Sequence, residues 1–158
     1  MPSGGSHNIR PQIPDCRFCS VVSGRLEAEV VFEDEVSLAF LDHRPLFPGH
    51  SLLVPREHHE TIWDLPDDLI APLFANARLL SAAIREAMRA KGAFVALNNV
   101  VSQSVPHLHV HVVPRNPKDG LRGFFWPRHR YRSVEHARDT AEAIRAAVGN
   151  LTQPARQP

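Results

Sequence analysis

Three histidines alternate with apolar residues over residues 107–113, which read His-Leu-His-Val-His-Val-Val. Residues two apart in a β-strand point to the same face, so this period predicts a strand with all three imidazoles on one side. The other face, which carries Leu108, Val110 and Val112, is expected to enter a hydrophobic core. Imidazole suits proton transfer, metal ligation and phosphate chemistry near neutral pH. Lysine, threonine or glutamate would serve a merely solvated strand equally well, so the pattern indicates a functional site.

Length and composition favour one ordinary globular domain, with 158 residues, 43% hydrophobic residues and a formal net charge of +1. This charge gives no general signal for nucleic acid, and no segment is apolar enough to predict membrane binding. Residues 1–14 are expected to be a flexible arm and residues 151–158 a disordered tail, on either side of a single domain at residues 15–150. Because the chain has only two cysteines and no recognisable signal peptide, we expect a cytoplasmic protein without a structural disulfide.

Short β-rich runs alternate with turns along most of the chain. Most connections between them are too short for parallel crossovers, so the sequence predicts an α+β domain with an antiparallel sheet of about five strands. A hairpin turn is expected at Glu33-Asp34-Glu35. The predicted strands are residues 30–32, 37–41, 50–54, 94–97 and 107–113.

One long helix is predicted over residues 66–91, where apolar residues recur at helical spacing. Pro66 suits its start and Gly92 its end, whereas Pro72 is expected either to kink the first turns or to give the helix a later start. Two other helices are predicted: a short one over residues 16–22 that ends near Gly24, and a C-terminal one over residues 133–148, capped by Ser133 and stopped by Gly149.

Cys16 and Cys19 are separated by two residues, a spacing typical of metal ligands. A redox pair usually opens a helix after a strand in a thioredoxin-like order, which is absent from this sequence. Two thiolates need two further ligands for a closed tetrahedral site, and such a site would be structural because no position is left for water. The histidines considered for it are His50, His58, His59 and His107. Two buried, unliganded thiols are the alternative.

Two further segments carry groups that suit nucleotides. The loop over residues 98–104 leads into the histidine strand, and its amides and hydroxyls could donate hydrogen bonds to a phosphate. Residues 122–132 interleave basic and aromatic side chains, a mixture that binds nucleotides or single-stranded nucleic acid through stacking and charge. A polar surface turn and an ordered connection are the respective alternatives, so nucleic acid is only a secondary candidate partner.

Taken together, these residues resemble the histidine triad (HIT) superfamily. Residues 107–113 are similar to its defining motif, and residues 40–58 resemble the block that precedes it, with Pro48-Gly49-His50 at its centre. The Cys16-Arg-Phe-Cys19 run also fits, so the resemblance covers roughly residues 16–115 and leaves residues 116–150 as a C-terminal extension. The loop before the motif departs from the family pattern, since it is shorter and lacks the usual glycine before Gln103.

The resemblance implies a hydrolase or transferase that cleaves purine nucleoside phosphoramidates or dinucleoside polyphosphates at the α-phosphate, through a covalent nucleotidyl-histidine. His109 would be the nucleophile, and His111 and His50 would be catalytic residues near the same phosphate. A neutral imidazole attacks phosphorus well, and the labile product divides one hard displacement into two easier ones. The nucleotide-binding residues would be Phe18, Val21, Leu26 and Phe40 at the base, Asp42 at the ribose, and Asn98, Gln103 and Ser104 in the loop.

The resemblance also implies a structural zinc ion and a homodimer, with no organic cofactor. The zinc ligands would be Cys16, Cys19, His58 and His107, with His59 as the alternative to His58. The dimer would use the helix of residues 66–91 and the strand of residues 94–97. Two other functions stay open: a non-catalytic nucleotide-binding or scaffold protein, and a hydrolase with a catalytic metal on the three alternating histidines. Successive positions on one strand are poorly arranged to surround a single ion.

Overall fold

A computed structural model describes residues 15–121 and 129–152. Within these residues, five strands form one antiparallel sheet in the order β1-β2-β3-β5-β4, and three α-helices accompany it. The predicted α+β class and the five antiparallel strands are therefore confirmed. The elements are α1 (Arg17–Val22), β1 (Val30–Glu33), β2 (Ser37–Leu41), β3 (Ser51–Pro55), α2 (Asp67–Ala87), β4 (Gly92–Ala96), β5 (Val110–Arg115) and α3 (Val134–Thr152).

The predicted hairpin joins β1 to β2 and is held by one carboxylate. Asp34 Oδ1 accepts hydrogen bonds from the backbone amides of Val36 and Ser37, at 2.9 and 2.8 Å. Aspartate commonly stabilises a turn in this way, by bonding to its own backbone two residues on. Asn76 of α2 donates to the other oxygen of Asp34 at 2.6 Å. The turn is thus tied both to its own backbone and to the long helix.

The long helix begins as predicted, with Pro66 at its N-cap, and continues across Pro72. Its end differs from the prediction, because α2 stops at Ala87 and Gly92 is already the first residue of β4. Arg89 makes the turn instead, with φ of +51°. The amides of Arg89 and Ala90 bond back to Glu86 and Arg85, a Schellman arrangement that satisfies the last carbonyls of the helix without a glycine.

Two hydrophobic clusters cover the two faces of the sheet. Leu53 of β3 packs with α2 on one face, while Leu52 and Val54 pack with α1 on the other, as the alternation of a strand requires. The apolar residues between the histidines enter the first cluster, as predicted. That cluster contains Leu53, Leu73, Ala77, Leu80, Ile84, Leu108, Val110 and Val112.

The histidine segment is a strand only in its second half, because β5 begins at Val110. Before that point the backbone has other partners: the amide of His107 donates to Val105 O at 2.8 Å, and that of Leu108 donates to His59 O at 2.6 Å. His107 and His109 therefore precede the paired ladder, whereas His111 lies opposite Leu52 within it.

The chain divides between Asp119 and Gly120 into two compact units. The second contains α3, where Ser133 Oγ accepts from the amide of His136 at 3.1 Å, as a capping residue does. Gly149 does not stop this helix, which continues to Thr152 and into the predicted tail. The predicted arm and most of the basic and aromatic segment, residues 122–128, lie outside the described residues. No helix in the described ranges is both long and apolar enough to cross a membrane.

Candidate functional site

Four of the predicted metal ligands come together beside α1. The ligand atoms of Cys16, Cys19, His58 and His107 all lie within 4.8 Å of one another. Cys19 Sγ is 3.3 Å from His58 Nδ1 and 3.6 Å from His107 Nδ1, and Cys16 Sγ is 3.5 Å from His107 Nδ1. Zinc bonds of about 2.3 Å to sulfur and about 2.1 Å to nitrogen, at tetrahedral angles, separate S and N by about 3.6 Å. The donor set and its spacing fit a tetrahedral zinc ion.

His107 is oriented for ligation by its other nitrogen. Its Nε2 donates to the carbonyl of Pro55 at 2.9 Å, which leaves the lone pair on Nδ1, the nitrogen that faces the two thiols. Burial lowers the pKa of His107 to about 4, so this imidazole is neutral at pH 7. His59 lies outside the cluster, and its Nε2 is 3.6 Å from a carboxylate oxygen of Glu57.

A cavity of about 840 Å³ opens next to this cluster, within the first compact unit. One wall is apolar and includes the rings of Phe18 and Phe40, which contact each other edge to face with centroids 5.4 Å apart. The imidazoles of His109 and His111 also line the cavity. This combination of an apolar slot and a few polar groups is typical of a small-molecule site. The predicted site residues that line it are Phe18, Val21, Leu26, Phe40, Asp42, Ser104, His109 and His111.

His109 is held in one tautomer. Its Nδ1 lies 2.7 Å from the carbonyl oxygen of His107 and must donate to it, because a carbonyl only accepts. The lone pair of the neutral ring is therefore on Nε2. Burial lowers the pKa of His109, so the ring stays neutral at physiological pH. Phe18 packs edge-on against the imidazole, with centroids 5.1 Å apart. The cavity wall thus holds an oriented, neutral imidazole with one basic nitrogen.

His50 stands behind His111 and does not line the cavity. It is 3% exposed, and its Nε2 lies 3.0 Å from His111 Nδ1, while its Nδ1 accepts from the backbone amide of Leu46 at 3.1 Å. Burial and, to a smaller extent, the nearby His109 and His50 lower the pKa of His111 to about 4. Burial also lowers the pKa of His50, against the opposing charge of Asp42 3.7 Å away. Both rings are neutral at pH 7.

Asn98 and Gln103 do not line the cavity, and their side chains bond to backbone groups of the loop and of Glu60. Asn98 Nδ2 donates to the carbonyl of Ser102 at 3.3 Å. Gln103 donates to the carbonyl of Glu60 at 2.6 Å and accepts from the amide of Val100 at 2.8 Å. These bonds shape the loop before the histidines, and direct contact of either residue with a nucleotide stays a prediction.

Several groups at the site were missed by sequence reasoning. Leu52 adds to the apolar wall, and its alternation with Leu53 along β3 was the signal that could have found it. The amide of Leu46 reaches His50 through the backbone, and no side-chain pattern reports such a bond. Other lining residues that were not predicted are Arg17, Glu27, Ala28, Glu29, Leu41, His43, Arg44 and Val105.

Residues 23–118 match the family described as HIT domain. A HIT-like protein of Saccharolobus solfataricus is 34% identical over 136 residues, covering 84% of this chain and 94% of that protein. An adenylylsulfatase of Arabidopsis thaliana is 33% identical, covering 68% of this chain and 55% of that one. An adenosine 5′-monophosphoramidase of Saccharomyces cerevisiae is 32% identical, covering 67% and 66%.

Solved structures that are similar to this chain come from the same family. A HIT family protein from Bacillus subtilis has a TM-score of 0.76 and 32% identity, covering 84% of this chain and 96% of that one. A zinc-bound histidine triad family protein from Mycobacterium smegmatis has a TM-score of 0.65 and 34% identity, covering 84% and 97%. The chain therefore belongs to the HIT family of nucleotide-binding hydrolases and transferases.

Proposed function

We propose that this member of the HIT family is an enzyme that cleaves purine nucleoside phosphoramidates or dinucleoside polyphosphates at the α-phosphate, through a nucleotidyl group carried on His109. The fixed tautomer of His109 is the main support, because it leaves a basic nitrogen on the wall of a nucleotide-sized cavity. The similarity to a monophosphoramidase and an adenylylsulfatase favours the same reaction class. A scaffold protein that only binds nucleotides would not need this tautomer.

In the first step, Nε2 of His109 attacks the α-phosphorus. A P–N bond forms, the bond to the leaving group breaks, and the ring becomes a cation whose Nδ1–H still donates to the carbonyl of His107. That carbonyl stabilises the positive charge as it develops. His111, whose ring lies beside that of His109 with centroids 5.0 Å apart, donates a hydrogen bond to the leaving group, which takes any proton it needs from water. Water or another acceptor then attacks phosphorus and releases its proton to solvent, the P–N bond breaks, and neutral His109 is restored.

The rest of the cavity would orient the nucleotide. The apolar wall around Phe18 and Phe40 suits a purine, whose ring can pack against it. Asp42 lies on the same cavity, and its carboxylate can accept hydrogen bonds from ribose hydroxyls. Ser104 can donate to a non-bridging phosphate oxygen, where charge develops during attack.

Substitution of the nucleophile tests this reaction. We expect His109→Ala to lower kcat by several orders of magnitude on a panel of adenylyl and guanylyl substrates, because no other group would form the covalent intermediate. Nucleotide affinity and the urea midpoint should change little. Glu35→Ala, which alters an exposed side chain of the β1–β2 turn that does not line the cavity, is the control. Turnover by His109→Ala close to that of wild type would refute the assignment, and no turnover by wild type on any substrate would favour the scaffold function.

The cluster of Cys16, Cys19, His58 and His107 is proposed to bind one structural zinc ion. When bound, zinc would cross-link α1 to the segment that carries His109. Such a site requires reduced thiols, in keeping with the cytoplasmic location expected from the sequence. Metal analysis should find about one zinc per chain in wild type and none in Cys16→Ala. His59→Ala should retain the ion, and a wild-type protein that is equally stable without metal would contradict the proposal.

A homodimer is proposed through β4 and α2. β4 is an edge strand of the sheet, and its Phe94 and Val95 are 36% and 44% exposed. An edge that combines exposed apolar side chains with backbone groups able to pair is suited to association. Sedimentation should show a dimer at micromolar concentration, which Val95→Lys should weaken. A monomeric wild-type protein under those conditions would contradict it.

A further inference from the structure

We infer that the backbone amide of Leu46 and the imidazole of His50 form a relay that fixes the proton of His111 on Nε2. His50 is then a positioning residue that acts through His111 and has no contact with substrate. The kinetic consequence rests on the proposed function, whereas the position of the proton can be measured without any substrate.

The relay begins in a turn whose shape follows from its sequence. His50 N–H donates to the carbonyl of Phe47 at 3.0 Å, which closes a four-residue turn with Pro48 and Gly49 at its centre. Proline in the second position and glycine at positive φ in the third, here +95°, are typical of a type II turn. The turn folds the chain back so that the amide of Leu46 lies 3.1 Å from Nδ1 of His50.

A backbone amide can only donate, and this property sets the tautomer of His50. Since Nδ1 accepts from Leu46, the proton of the neutral ring must be on Nε2. That proton points along the 3.0 Å contact to Nδ1 of His111, which must accept it. The proton of His111 is consequently left on Nε2. Asp42 cannot replace this bond, because its nearer oxygen is 3.7 Å from His50 Nε2.

The same three side chains could also be considered as a metal site, because ligand atoms of Asp42, His50 and His111 lie within 4.8 Å of one another. A metal on Nε2 of His50 would require the ring proton on Nδ1, where it would face the amide proton of Leu46 at hydrogen-bond distance. Two donors cannot share that position. The backbone of the turn therefore favours the proton relay over a metal ion.

The fixed proton matters for the leaving group. His111 lines the cavity and is neutral, and with its proton on Nε2 it can donate to a leaving-group atom as the bond to phosphorus breaks. In the other tautomer, the lone pair of Nε2 would meet the electron pairs of the leaving group. His50 thus favours the productive tautomer before substrate arrives, which is preorganisation by a hydrogen bond.

Nitrogen-15 NMR of the zinc-loaded protein with labelled histidine tests the relay directly. The long-range couplings should show Nε2–H tautomers for both His50 and His111 in the wild type. In His50→Ala, the His111 signals should move to a mixture of tautomers. A wild-type His111 protonated on Nδ1, or already a mixture, would overturn the inference even if no substrate for the enzyme is found.

Two matched pairs of variants separate positioning from structural support. His50→Gln keeps an N–H group that can donate to His111, so it should restore most of the kcat that His50→Ala loses, about ten-fold, with KM changed less than about two-fold. Leu46→Pro removes the donor amide and also fixes φ at this position, whereas Leu46→Ala retains the amide. A kcat of His50→Ala equal to that of wild type would contradict the positioning role. The role would also be contradicted if His50→Ala and His50→Gln were equally stable and lost the same fraction of kcat. If a variant fails to fold, the wild-type spectrum still decides.

Discussion

Gly49→Ala should destabilise the protein, because Gly49 has a backbone conformation and a neighbour that both exclude a side chain. At φ of +95°, alanine costs about 1–2 kcal/mol, offset by about 0.4–1 kcal/mol from the stiffer unfolded chain. A Cβ there would lie 2.7 Å from Cγ of Met88. Met88 is 41% exposed and flexible, so moving it should cost about 1 kcal/mol. The expected net loss is about 2 kcal/mol.

Urea unfolding of a double-mutant cycle separates the two contributions. In a Met88→Ala background the overlap is gone, so Gly49→Ala should cost only about 1 kcal/mol, the part that comes from φ. The same cost in both backgrounds would show that Met88 does not press on the turn. A cost below about 0.5 kcal/mol in the wild-type background would refute the positive φ itself.

Three further predictions concern stability. Val100 is β-branched, 66% exposed and at φ of +67°, so Val100→Asn should raise the free energy of unfolding by about 1 kcal/mol in urea titration; a decrease would argue against the strained turn. Burial raises the pKa of Asp34, but hydrogen bonds from Ser37 and Asn76 lower it more. Asp34→Asn should therefore lower the free energy of unfolding at pH 7, and this loss should fade as the pH falls through the lowered pKa. Because burial depresses the pKa of His111, the folded state binds fewer protons than the unfolded state at acidic pH. The free energy of unfolding should therefore fall as the pH is lowered from 6.5 to about 4, and His111→Phe should reduce this pH dependence.

The sheet and its core could be predicted because they follow from alternation. Leu108, Val110 and Val112 enter the core between the histidines, since a period of two leaves no other arrangement once one face is buried. The metal ligands came from the resemblance instead, because Cys16 and His107 are distant in sequence and their meeting depends on the whole fold.

The structure differs from the sequence-based predictions where backbone conformation and backbone hydrogen bonds determine the local structure. The long helix ends at Ala87 because Arg89 adopts positive φ, which residue type alone does not predict. β5 begins late because the amide of Leu108 pairs with His59 and not with a neighbouring strand. The Leu46 amide at His50 is a bond of the same kind. Such bonds depend on tertiary contacts and leave no pattern in the order of side chains.

The most direct test of the account is to trap the intermediate on His109. Wild-type enzyme is mixed with a substrate labelled at the α-phosphate, quenched during turnover and digested. An acid-labile, base-stable label is expected on His109, in the peptide of residues 105–115, with configuration at phosphorus retained after full turnover because it is attacked twice. Inversion at phosphorus, with no labelled peptide, would mean direct attack by water, and the nucleotidyl-histidine mechanism would then be wrong even if His109 proved essential.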